Sequence, residues 1–177
     1  MQMNRRRTAR GAAVGGIMAA LALAVLYAGS VFPAWALALS AVAGLFPAAA
    51  YLAEGTVTGL ISYAAAAAAG LLLVPDKGCA FLFSVFFGYY AVVKLTVEKR
   101  LGSVPAWGVK LLVFNGALTA AVFLFPAVVT VSVIRSLSGS RFYLAVYLLF
   151  NVVFILFDIG YSRLISYGRK RILPRLK

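Results

Sequence analysis

The chain has no histidine, a single cysteine and only four acidic residues in 177. The lack of histidine removes the side chain that most often carries proton transfer and metal ligation near neutral pH. One cysteine, Cys79, excludes an intramolecular disulfide and a cysteine-based zinc site. The four carboxylates are Glu54, Asp76, Glu98 and Asp158, and no two of them stand at a catalytic spacing. Phosphate loops, nucleophile elbows and metal-ligand clusters are also missing. These absences point to a protein that binds rather than catalyses, with no cofactor.

Apolar side chains are abundant. They make up 64% of residues, charged ones only 12%, and the mean hydropathy is +0.99. Soluble domains sit at about 45–50% apolar and about 25% charged. One soluble core cannot hide this much apolar surface, so the solvent is lipid. Composition is uniform along the chain and predicts one integral membrane domain.

Six apolar stretches approach the length needed to cross about 30 Å as a helix. They lie near residues 12–29, 34–53, 56–74, 78–97, 106–134 and 142–165. Turn and charge signals separate them, among them SVFP, PDKG, EKRLGSVP and RSLSGSR. The connections are short, which predicts antiparallel neighbours, and Pro126 is a candidate kink in the long fifth stretch. The first stretch follows a basic cluster as a signal peptide would, but its length and the prompt second span favour a retained helix. The expected fold is all-α, a polytopic membrane protein with six transmembrane helices.

Seventeen Lys and Arg against four acids give a net charge of +13. With the N-terminus inside, the inner face collects Arg5, Arg6, Arg7, Arg10, Lys99, Arg100, Lys110, Arg169, Lys170, Arg171, Arg175 and Lys177. The outer face keeps Lys77, Arg135 and Arg141. That bias predicts cytoplasmic N- and C-termini. It also suits an anionic partner, either lipid headgroups or RNA.

Lys94 interrupts the fourth stretch, and a charge inside a span needs a partner, an escape route or a job. Lys94 lies 16 residues after Gly78, and Asp158 lies 16 after Phe142. On helices running the same way, both sit about 24 Å below the outer face. Asn115 falls near that level, and Tyr90 stands one turn above Lys94. The expected polar layer is therefore Lys94, Asp158, Asn115 and Tyr90, with Glu54 as the alternative acid. It serves either as a structural ion pair, with a snorkelling lysine as a variant, or as a solute site. Near the outer face, Tyr27, Trp35, Asp76, Tyr143 and Tyr147 are the candidate substrate-binding residues, or else part of an interfacial aromatic belt.

The first stretch reads AAVGGIMAALALAV, with Ala12, Gly16, Ala20 and Ala24 recurring every four residues. Small residues at that spacing let helices approach closely. Together with six helices and cytoplasmic ends, this surface resembles the substrate-binding S-components of energy-coupling-factor (ECF) transporters. The resemblance implies capture of a small solute outside and docking through Ala12, Gly16, Ala20 and Ala24. The docking partner would be a membrane coupling subunit driven by two ATPases. The loops SVFP and PDKG are shorter than the loops that cover the site in such proteins. Two other readings stay open: a scaffold whose basic inner face binds an acidic partner, RNA or anionic lipid, and a small channel or flippase.

Overall fold

The computed structural model describes residues 2–124 and 140–171, with side chains placed over most of that length. Every regular element among the described residues is helical. The chain divides into two compact units, Met1–Ser103 and Val104–Lys177.

In the first unit α1 (Gln2–Val31) runs up to a short 3₁₀ turn at Pro33–Trp35. The second span is split into α2 (Ala36–Ala43) and α3 (Leu45–Glu54). Pro47 explains the split: it has no N–H to give the carbonyl four residues back, and it restricts the residue before it. Gly55 closes α3 with φ 98, a conformation that only glycine adopts without strain. Its N–H reaches the Tyr51 carbonyl at 2.8 Å, and α4 (Thr56–Leu73) starts at the next residue.

The link between α4 and the fourth span is built from two charged caps. Lys77 Nζ donates to the carbonyls of Leu71, Leu72 and Val74 at 2.9, 3.4 and 3.0 Å, closing the end of α4. Asp76 caps the start of α5 (Lys77–Leu82), its Oδ1 accepting from the Gly78 N–H at 2.8 Å. The fourth span continues through a π turn at Phe83–Phe87 into α6 (Gly88–Arg100).

Alanines dominate the centre of this unit. Ala19, Ala22 and Leu26 of α1 meet Ala66 and Ala67 of α4, with Ala43, Cys79, Ala80 and Phe83 completing the cluster. Small side chains let these backbones lie close, which is how helices gain contact in a solvent as apolar as their own side chains. Leu37, Val57, Leu72 and Leu73 point outward on the opposite faces.

The second unit contains α7 from Val104 onward (helix Ser103–Leu124) and α8 (Ser140–Arg171). At 1.5 Å per residue, the 32 residues of α8 extend about 48 Å, longer than a hydrocarbon core is thick. Its apolar portion is Tyr147–Tyr167.

Among the described residues, five helical stretches are long and apolar enough to cross a membrane: Ala9–Val31, Pro33–Glu54, Thr56–Leu73, Lys77–Arg100 and Tyr147–Tyr167. A shorter apolar helix, Val104–Ala120, covers most of the described part of the expected fifth span. The expected kink at Pro126 lies outside the described residues.

Candidate functional site

Among the described residues of the second unit, polar side chains meet along one seam between α7 and α8. Lys110 Nζ donates to Asp158 Oδ2 at 2.7 Å, and the two side chains are 3% and 2% exposed. The ammonium also sits 4.0 Å from the centroid of the Trp107 ring, one turn earlier on α7. A cation over an indole face is stabilised by the ring quadrupole, the more so when water is excluded.

Next along the seam, Phe114 and Phe154 stack with centroids 4.2 Å apart and planes 19° from parallel. Asn115 and Asn151 follow, each donating to the other's Oδ1, at 2.9 and 3.0 Å. Their second N–H bonds return to the carbonyls of Leu111 and Tyr147, four residues back on each helix. The Thr119 and Tyr147 hydroxyls then meet at 3.1 Å. Residue numbers rise on α7 as they fall on α8, so the helices are antiparallel. From Lys110 to Thr119 the ladder covers about 14 Å. It grades from a buried ion pair, through half-buried amides, to an exposed threonine.

Sequence reasoning pairs Asp158 with Lys94. Those residues belong to different units, and each also has a partner inside its own, Lys110 for Asp158 and Glu98 for Lys94. Asp158 takes Lys110, which the count of loop charges places at the inner face but which lies well inside α7 and is 2% exposed. Lys94, 1% exposed, reaches Glu98 Oε1 at 2.9 Å, one turn along α6. Tyr90, a turn earlier, is also buried. Glu54 receives Arg10 Nε at 2.9 Å, linking the inner ends of α3 and α1 as the expected topology orients them.

Of the candidate outer residues, Tyr27 and Trp35 are 52% and 64% exposed. Asp76 is committed to capping α5. Tyr147 joins the seam through Thr119, and the side chain of Tyr143 lies outside the described residues. Ala12, Gly16, Ala20 and Ala24 share the exposed side of α1, while Gly15, Ala19, Ala22 and Leu26 face the bundle.

Lys110, Asn151 and Thr119 are the site residues that sequence reasoning misses. A signal for Asn151 exists. Apart from Asn4, the chain's asparagines are Asn115 and Asn151, each inside an apolar stretch where an amide needs a partner.

Among the described residues no group of His, Cys, Asp and Glu could hold a metal ion. Comparison with known protein families, with curated proteins and with solved structures gives no match.

Proposed function

We propose that the protein is a multi-pass membrane transport component that binds a small polar solute along the α7/α8 seam, with both termini cytoplasmic. The observation that carries this reading is the Lys110–Asp158 pair, whose side chains are 3% and 2% exposed on two largely apolar helices. Charges at membrane depth are expensive, and those that persist there commonly mark a solute or ion pathway. The ladder above the pair supplies amide and hydroxyl groups in sequence, which suits stepwise handling of a polar molecule.

Within that class, the reading is a substrate-binding subunit of an ECF-type uptake system. Support comes from the small-residue face of α1, Ala12, Gly16, Ala20 and Ala24, which points away from its own bundle. In this reading that face meets a membrane coupling subunit, which two ATPases drive. The seam equally supports a small channel or flippase, which would act without such partners.

Purification from native membranes in mild detergent tests the assignment. The expected eluate contains a membrane coupling subunit and two ATPases, together with a small molecule identifiable by mass spectrometry. A chain that comes out alone, yet moves a solute in proteoliposomes, replaces the ECF reading with the channel or flippase. Salt-sensitive, nuclease-sensitive RNA in place of both overturns the transport assignment and favours a basic scaffold.

A further inference from the structure

We propose that the π turn at Phe83–Phe87 is a register switch in the fourth span, latched by the Tyr63 hydroxyl of α4. In an uninterrupted α-helix each N–H bonds the carbonyl four residues back. Here the Gly88 N–H bonds the Phe83 carbonyl, five residues back. The Ser84 carbonyl, which α geometry would give to Gly88, instead accepts the Tyr63 hydroxyl at 2.8 Å. Ser84's own hydroxyl is turned away, bonding the Ala80 carbonyl at 2.8 Å. A carbonyl facing lipid-like surroundings needs a donor, and the Tyr63 hydroxyl supplies one.

The surroundings are shaped for this arrangement. A Cβ on Gly88 would lie 2.6 Å from Tyr63 Cδ2 and 2.8 Å from the Phe83 ring, so glycine leaves the space that the tyrosine ring fills. Tyr63 also packs on Phe83 and Tyr89, with centroids 6.2 and 5.9 Å away. At the same level the second span is broken at Gly44, whose missing side chain would overlap the Phe87 carbonyl. The breaks in two spans and the latch on a third therefore coincide.

A second setting satisfies the same carbonyl without Tyr63. If the turn relaxes to α geometry, the Gly88 N–H returns to Ser84 and the phenol is released. A π turn holds one extra residue. Resolving it rotates Gly88–Arg100 by about 100° and advances it by about 1.5 Å. That segment carries Lys94, which is 1% exposed, and its partner Glu98. The switch thus reorients a buried cation by a one-residue change of register, with two discrete settings rather than a continuum.

The test measures distances by electron spin resonance in the full chain in lipid bilayers. Spin labels go at Ala53→Cys and Lys99→Cys, both exposed, in a Cys79→Ala background. Rotation of the Lys99 arm by 100° displaces its label by about 8 Å, given a helix radius of about 5–6 Å with side chains. Tyr63→Phe removes the latch, and Gly88→Ala pushes the tyrosine ring out. Each is expected to raise the displaced component roughly two- to tenfold, the range spanned by one net hydrogen bond. Should Tyr63→Phe fail to fold, Gly88→Ala gives the decision with the same readout. A distance distribution in the folded variants that coincides with the parent's overturns the switch and leaves the π turn a fixed feature.

Discussion

Asn115 and Asn151 exchange hydrogen bonds in both directions across α7 and α8, and each spends its remaining N–H on its own helix. All four amide donors are therefore used. Such closure suits an apolar solvent, where an unused donor finds no water. It also fixes the two helices in one axial register, because sliding by a residue would break both cross-helix bonds together.

This closure makes the pair's energetics non-additive. Asn115→Leu and Asn151→Leu should each lower unfolding stability by about 1 kcal/mol, the scale of interhelical hydrogen bonds in membranes. The double variant should cost little more than either single one, since the first substitution already removes the mutual bonds. A double-mutant cycle on the detergent-solubilised protein measures this. Strictly additive losses would mean that each amide is held mainly by its own helix.

The Lys110–Asp158 pair separates structure from function. Lys110→Met leaves a carboxylate in a site 2% exposed, and breaking a buried pair in this way costs about 3–5 kcal/mol. Lys110→Met with Asp158→Leu removes both charges and should recover most of that stability. If the pair serves transport as proposed, the double variant folds but no longer moves the solute. A stable double variant with parental transport would show that the charges only hold helices together.

Much of this architecture is legible in the sequence because lipid imposes simple demands. Apolar runs of 18 or more residues mark the spans, and Pro33, Gly55 and Pro75 mark their ends. What pattern reading misses is lateral pairing. Depth counting gives a level but no azimuth, and it treats Lys110 as a loop cation because basic residues usually sit at helix ends. The structure turns Lys110 inward onto Asp158 and Trp107. The π turn is equally hidden. FSVFFGYY has no composition that distinguishes it from an α-helix, and the turn depends on Tyr63, twenty-one residues before Ser84 in the chain.

Asp76, a candidate binding residue in the sequence, caps a helix in the structure. Its carboxylate accepts the Gly78 N–H at 2.8 Å, which stabilises the start of α5. Asp76→Ala should cost about 1 kcal/mol, while Asp76→Ser or Asp76→Asn, which still cap, should cost a few tenths. Thermal unfolding of the three variants gives the comparison. Equal losses in all three would point away from capping and back toward a need for the negative charge itself.

Gly15 and Gly16 are neighbours with opposite surroundings. A Cβ on Gly15 would meet Thr58 Cγ2 at 3.3 Å, whereas one on Gly16 would meet nothing within 4 Å. Gly15→Leu should therefore overpack the α1–α4 contact and destabilise by about 1–3 kcal/mol. Gly16→Leu should leave folding unchanged, because its side chain projects from the outer face of α1 alongside Ala12, Ala20 and Ala24. If that face docks on a coupling subunit, Gly16→Leu abolishes co-purification of the subunit while the protein's own unfolding curve stays at the parental position. Gly15→Leu gives the converse pattern, a shifted curve with the partner retained in whatever fraction remains folded. Partner recovery that survives Gly16→Leu in full would remove the α1 face from the docking surface, since a leucine there cannot be accommodated between closely packed backbones.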